Sequence, residues 1–256
     1  MKKVLKLAGI LFVLGILIFL FYISSNYATP ILMYHSFDKN RIKDYAAVDL
    51  ANFYKQMQFI KKEGYRVISL GDYCRMLKDR RNIPRKAVII TIDDGYQDNL
   101  AAIEILRKFD YPATLFLTWD RIGKDGYLST QDINTFLKNT KVGIGSHSLT
   151  HPDLPNIISN GELKDQISGS KNKLEELLPV KIETFAFPGG GFNERSLEEL
   201  AKAGYLCACT TNRGFSRKLN RLALRRIKVT NQDNNFTFWS KISGFYNVFK
   251  KPKKPY

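Results

Sequence analysis

Met1-Lys2-Lys3-Val4-Leu5-Lys6 gives way to an uncharged apolar run from Leu7 to Ile23, and Ser24-Ser25-Asn26 then returns the chain to polar character. At about 1.5 Å per residue the run reaches most of the way across a hydrocarbon core of roughly 30 Å, and it outlasts the about 7 to 15 apolar residues common in cleaved signals. A retained anchor is therefore expected in residues 1–28; were it cleaved, the remainder would be secreted. The lysines precede the run, so the positive-inside rule keeps the amino terminus cytoplasmic and delivers the rest to the far side. A buried core helix is the weaker reading of an all-round apolar stretch with basic flanks. No cysteine follows the run closely, which gives no support to a lipidated terminus.

From Thr29 the pattern changes. Short β-rich apolar runs alternate with longer stretches of helical spacing, the signature of parallel strands joined by helical crossovers. Strands are expected at Ile31 to Tyr34, Ala87 to Ile92, Ala113 to Leu117, Val142 to Gly145, Thr184 to Phe187, Leu206 to Thr210 and Leu224 to Val229. Helices are expected at Leu50 to Glu63, Asn99 to Phe109, Gln131 to Lys138, Glu162 to Leu178 and Glu194 to Ala203, with an extra strand at Tyr65 to Ile68 and a helix at Leu70 to Leu77. Polar residues such as Asp98, Thr130 and Asn193 stand where helices should start, and Asp98 reads most simply as a cap. Nothing repeats at a fixed period and no linker divides the chain, so residues 29–240 form one α/β domain, followed by a basic tail at 241–256.

Composition narrows the class. With 44% apolar and 25% charged residues in 256, the chain is neither collagen-like nor disordered. A formal charge of +16 favours anionic surroundings without choosing among nucleic acid, phospholipid and acidic wall polymers. Surplus lysines, those of the tail included, are expected to face the membrane or such polymers. Three cysteines, Cys74, Cys207 and Cys209, make an odd count, and no disulfide framework is expected from them.

Only three histidines occur, His35, His147 and His151, and all fall at or just past the ends of expected strands. Asp93-Asp94-Gly95 also follows a strand, so two carboxylates emerge at the carboxyl edge where parallel α/β folds build their sites. His147-Ser-Leu-Thr-His151 places two imidazoles four residues apart, able to converge on one ion if the segment turns tightly, and Asp94 would be the third ligand. Two histidines and one carboxylate leave an open position, the arrangement of a catalytic rather than a structural zinc-type site. The blander reading has both histidines bonding loop backbone. Tyr96, Trp119 and Phe192 are candidates to line a binding groove, although each reads more readily as core. Gly189-Gly190-Gly191 lacks the spacing and the Lys-Ser/Thr of a phosphate loop.

Thr91-Ile92-Asp93-Asp94-Gly95, His147-Ser148-Leu149-Thr150-His151-Pro152 and Phe185-Ala186-Phe187-Pro188-Gly189-Gly190 resemble, in order, the motifs of the polysaccharide deacetylases, carbohydrate esterase family four. The opening Pro30-Ile31-Leu32-Met33-Tyr34-His35-Ser36-Phe37 is similar to one branch, the de-N-acetylases of poly-β-1,6-N-acetylglucosamine. The resemblance implies a distorted (β/α)7 barrel and a divalent ion, zinc first with nickel or cobalt as alternatives, held by Asp94, His147 and His151. It implies that Asp93 is the general base toward water and that acetate is released from N-acetylglucosamine. A backbone N–H of the Pro188-Gly189-Gly190 turn is the expected oxyanion donor, with Tyr96 grouped among the substrate-binding residues.

Two departures from the family pattern bear on the chemistry. No histidine follows His151, whereas most of the family takes its general acid from a late one; in the branch with the early Met-Tyr-His motif that histidine serves instead, which points to His35. Ala186 stands where the family carries an arginine that holds the catalytic aspartate, and Arg226 in Leu224-Arg225-Arg226-Ile227 is the candidate replacement. A solvated basic edge is the alternative for Arg225 and Arg226.

The expected function is thus hydrolytic deacetylation of an N-acetylated extracellular polysaccharide by a membrane-anchored, monomeric enzyme. Peptidoglycan or another glycan is the alternative substrate, and a catalytically silent polysaccharide binder the alternative class. A nucleic-acid partner is not expected, since no such fold or aromatic-basic motif appears.

Overall fold

A computed structural model of the chain describes residues 2–25, 29–41, 46–213 and 219–246. Helix α1 runs over Lys2–Ser25, and Val4–Tyr22 within it is long and apolar enough to cross a membrane. The strands β1 (Ile31–Tyr34), β3 (Ala87–Ile92), β4 (Ala113–Leu117), β5 (Val142–Ser146), β6 (Thr184–Ala186), β7 (Cys207–Cys209) and β8 (Ile227–Lys228) form one parallel sheet in the order β7-β6-β5-β4-β3-β1-β8. The short β2 (Arg66–Val67) pairs with the first residues of β3, while β4 pairs with its last ones.

The sheet curls on itself. Leu224, just ahead of β8, bonds to the β7 side through Leu224 N–H to Ala208 O and Thr210 N–H to Leu224 O, each 2.8 Å, while β8 pairs with β1. Strands that share no sequence neighbourhood thereby close a distorted (β/α)7 barrel, with helices α2 (Leu50–Lys62), α4 (Asn99–Phe109), α5 (Thr130–Asn139), α7 (Ser170–Leu177) and α8 (Glu194–Lys202) among its outer elements.

Strand residues alternate between two apolar clusters, as a period of two requires. Leu32, Ile90, Leu115, Phe185 and Ala208 pack in the larger cluster with the helices. Ile31, Ile89, Phe116, Ala186, Cys207, Cys209 and Leu224 pack with Leu70, Tyr73 and Cys74 of α3 (Leu70–Lys78). Phe116 fills this second cluster so closely that a Cβ on Gly145 would lie 2.5 Å from its ring, which is why that β5 position carries no side chain.

Four sequence expectations change. Cys74 and Cys207, 133 residues apart, form a disulfide that ties α3 to β7, and Cys209 is the buried free thiol. An odd count of three carries no sign of this pairing, because the partner of Cys207 arrives from a helix that only the tertiary fold brings near. Glu162 to Leu178 is helical as expected up to Leu177 but not α throughout: α6 (Asn160–Lys164) passes through a π-helical turn at Asp165–Gly169 before α7. Asp98 makes no side-chain cap bond and instead accepts from Ser36 Oγ at 2.5 Å. Finally, α9 (Asn235–Ile242) buries Phe238 and Ile242, so core packing continues past residue 240; of the tail, residues 247–256 lie outside the described residues.

Candidate active site

β3 ends at Ile92, and the chain leaves it through two carboxylates with opposite fates. Asp93 continues the alternation of Ile89 and Thr91 and is fully buried. Arg226 reaches it from the segment that closes the barrel: Nη1 donates to Oδ1 at 2.6 Å and Nη2 to Oδ2 at 2.7 Å. The same guanidinium donates through Nε to Thr210 O at 3.0 Å and through Nη1 to Thr91 Oγ1 at 3.2 Å. Burial alone would raise the pKa of Asp93, but Arg226, and less strongly His147 and His35, outweigh it and bring the value down to about 2. The group is a carboxylate at any physiological pH. Burial likewise opposes the charge of Arg226, and Asp93 more than restores it.

Asp94 turns the other way. Its φ of 76° is left-handed, a conformation costly for a residue with a Cβ, and Gly95 follows at 73°. A side chain on Gly95 would also meet Leu117 at 2.6 Å. The turn presents Asp94 Oδ1 to His147 Nε2 at 3.8 Å and to His151 Nε2 at 3.5 Å. Arg121, to which the sequence reading gave no role, donates from Nη1 to the same oxygen at 3.1 Å. Its guanidinium also lies over the Tyr127 ring at 5.4 Å.

The two imidazoles are held with their Nε2 atoms toward Asp94. His147 follows β5, and its Nδ1 lies 2.7 Å from Ala186 O, a carbonyl that can only accept. Nδ1 therefore carries the proton and Nε2 keeps its lone pair. The loop to His151 passes through two further left-handed residues, Ser148 at φ 69° and His151 itself at 65°. Ser148 Oγ accepts from His151 N–H at 2.9 Å. Gln166, in the π-helical turn, accepts from the amides of Leu149 and Thr150 at 3.2 and 3.0 Å and donates to Thr150 Oγ1 at 3.0 Å. Nothing local marks Gln166 in the sequence, because Leu149 and Thr150 belong to a loop that only the fold brings to it. Burial, reinforced by His147, lowers the His151 pKa to about 4, so its ring is neutral near neutral pH.

One ligand atom from each of Asp94, His147 and His151 lies within 4.8 Å of the others. A carboxylate and two imidazoles with Nε2 turned inward fit a divalent ion of the zinc type, and three protein ligands leave a position open.

His35 stands across Asp93 from this cluster, its Nε2 3.8 Å from Asp93 Oδ2. Burial lowers its pKa, while the charges of Asp93 and Asp94 oppose that effect. Its backbone is fixed by Asn99 Nδ2, which donates to His35 O at 2.8 Å and to Asp98 Oδ1 at 2.8 Å. Its ring Nδ1 is buried with no hydrogen-bond partner among the described residues. A cavity of about 400 Å³ adjoins it, lined by Met33, His35, Gly189, Arg226, Lys228 and Lys241 among others.

The Pro188–Gly190 turn reaches this cavity but offers less than the sequence suggested. Proline has no N–H, and the Gly190 amide donates to Phe187 O at 2.9 Å. That leaves Gly189, on the cavity wall, as the possible donor of the three. Tyr96 stacks on Tyr127 with ring centres 5.2 Å apart, and Trp119 and Phe192 pack against the larger core cluster.

Residues 80–208 match the family described as polysaccharide deacetylase. The protein YxkH of Bacillus subtilis, named for the same family, is 29% identical over 204 residues, which cover 78% of this chain and 71% of that protein. A poly-beta-1,6-N-acetyl-D-glucosamine N-deacetylase of Staphylococcus aureus is 26% identical over 199 residues, covering 70% of this chain and 66% of the relative. Among solved structures, the Streptococcus pyogenes deacetylase PplD, in complex with acetate, superposes with a TM-score of 0.78 at 26% identity, over 85% of this chain and 99% of that one. With the motif order, the closed barrel and the carboxylate–imidazole cluster in place, the chain belongs to the polysaccharide deacetylase family, hydrolases of carbon–nitrogen bonds other than peptide bonds.

Proposed function

We propose that the protein is a metal-dependent enzyme that removes acetyl groups from N-acetylglucosamine residues of an extracellular polysaccharide of the poly-β-1,6-linked kind. The observation that carries this reading is the placement of His35 and the Arg226-bound Asp93 beside the Asp94–His147–His151 cluster. An acid, a base and an ion site on one rim are what amide hydrolysis needs.

A divalent ion held by Asp94, His147 and His151, zinc or else nickel or cobalt, would lower the pKa of a water and polarise the acetamide carbonyl. Asp93 accepts the proton of the attacking water. Although both its oxygens serve Arg226, a carboxylate has about four acceptor sites, so lone pairs remain. The Gly189 amide donates to the oxyanion as the carbonyl carbon becomes tetrahedral. His35 in its imidazolium form then gives the Nε2 proton to the departing nitrogen, acetate and a free amine leave, and solvent restores that proton and removes the one on Asp93.

The substrate class follows the Staphylococcus aureus relative and the early histidine, which together favour a poly-N-acetylglucosamine over peptidoglycan. The Cys74–Cys207 bridge and the apolar span of α1 support a catalytic domain anchored on the oxidising far side of a membrane. Acetate release on poly-β-1,6-N-acetylglucosamine, peptidoglycan and chitin oligomers tests the proposal, with chelation and add-back of zinc, nickel and cobalt. Fastest release from the first, abolished by chelation, is expected; release from peptidoglycan alone would overturn the substrate, and indifference to chelation the metal.

A further inference from the structure

Helix α9 has an apolar residue on more than its inner face. Phe238 and Ile242 are buried, with the Phe238 ring 6.0 Å from Phe59 of α2. Three positions apart on another face, Phe236 is 66% exposed and Trp239 36% exposed. A water-facing helix ordinarily places charged or polar residues there.

These rings are part of a chain that leads to α1. Phe236 lies 5.9 Å from Trp239, Trp239 lies 5.8 Å from Phe245, and Phe245 meets Phe19 of α1 edge-on at 6.3 Å. Phe19 belongs to the apolar span Val4–Tyr22 and stands three residues from its end. At about 1.5 Å per residue that is roughly 4.5 Å in depth, the level at which tryptophan and other aromatic side chains collect in bilayers.

We propose that the face of α9 bearing Phe236 and Trp239 is a second membrane contact, seated among the phospholipid headgroups of the bilayer that α1 crosses. The proposal rests on the reading of α1 as a spanning anchor. The bilayer is the fitting occupant because the aromatic chain is continuous with the apolar helix and ends in exposed rings rather than in a closed core. Lys241 of α9 and Tyr246 also line the cavity beside His35, so the membrane face and the catalytic groove lie on two sides of one helix. The groove edge would then stand about one helix diameter, roughly 10 Å, from the lipid surface, and the barrel would be held at a fixed tilt rather than swinging on the segment after α1.

The test uses the full chain in vesicles of phosphatidylcholine and phosphatidylglycerol, three to one, with part of the phosphatidylcholine brominated on its acyl chains. The protein contains two tryptophans, so Trp119→Phe leaves Trp239 as the sole reporter and Trp239→Phe leaves Trp119. Brominated lipid is expected to cut Trp239 emission about twofold, as for an apolar face about 5–10 Å into the interface, and to leave Trp119 unchanged. Adding Phe236→Asp to the Trp119→Phe chain is expected to relieve that quenching without changing its melting temperature. A chain that stays in the vesicles through an alkaline carbonate wash, yet shows no quenching of Trp239, overturns the second contact alone. A chain released by the wash overturns the anchor reading, and this inference with it.

Discussion

The two sides of Asp93 are built by different rules. On one side the loop from His147 to His151 is pinned by Ala186 O, Ser148 Oγ and three bonds from Gln166, with two of its residues in left-handed backbone. On the other side, His35 has the backbone bond from Asn99 and the approach of its Nε2 to Asp93, and its buried Nδ1 has no hydrogen-bond partner among the described residues. An ion site must keep its ligand atoms within a few tenths of an ångström, so redundant bonds serve it. In the proposed reaction the donor approaches a nitrogen that moves as the amide breaks, and the His35 side is the less heavily bonded of the two.

Removing the charge between the two sides should have the largest effect. Asp93→Asn is expected to lower turnover by about 10² to 10⁴ while the protein still binds one metal ion per chain, read by kinetics and elemental analysis. Loss of the ion together with the activity would mean that the two sides are not separable. His35→Gln should fall in the same range of rate loss and again spare the metal.

Arg226→Ala comes next. It leaves a buried carboxylate without its partner, which costs about 3–5 kcal/mol in denaturant titration. With Arg226 gone, burial acts on Asp93 with less opposition, and the acid limb of the rate profile should move to higher pH. The linkage has a definite sign. In the native chain Asp93 falls from the model-peptide value of 3.8 to about 2, so its stabilisation is complete above 3.8 and lost as pH drops through 2. The variant should lack that loss window, and an unchanged acid limb would remove Arg226 from the account of Asp93.

Reducing or replacing the Cys74–Cys207 pair should cost about 2–5 kcal/mol, seen as a lower denaturation midpoint. Turnover of the protein that remains folded should be unchanged, since the bridge lies in the cluster beneath the site. The smallest effect sharpens the comparison most. Gln166→Leu strips two loop amides of their acceptor and is expected to weaken metal affinity about 10- to 100-fold, as other supporting bonds do, with the His35 side untouched.

Much of this was legible in the residue pattern. β1, β3 and β4 have the expected bounds because each is a run of β-branched and apolar residues closed by a polar or turn residue. The strand expected at Leu224 to Val229 shrinks to Ile227–Lys228, since the segment ahead of it serves as barrel closure and as the carrier of Arg226. The π turn left no trace: Leu163, Ile167 and Leu174, four and seven residues apart, keep a helical spacing across it. Gln166 and Arg121 were not found because nothing local distinguishes them from solvated polar residues; their work depends on which loop folds over them. Asn234 and the pair Phe238 and Ile242 carried a readable cap and helical spacing for α9. Asp94, His147 and His151 stood out because histidine is scarce and strand ends are few, whereas the roles expected of Asp93 and His35 came from the resemblance to the family.

Cys74 leaves the ribosome 133 residues ahead of Cys207, and Cys209 follows two residues behind on the same strand. The chain must therefore carry an unpaired thiol through most of its synthesis and then choose between two late partners. In the folded chain Cys207 holds that bond and Cys209 stays a buried free thiol, pushed by burial to about 12. Closing the Cys74–Cys207 bond removes two electrons, so completion of the barrel floor waits on an oxidation that can come only after Cys207 has been made.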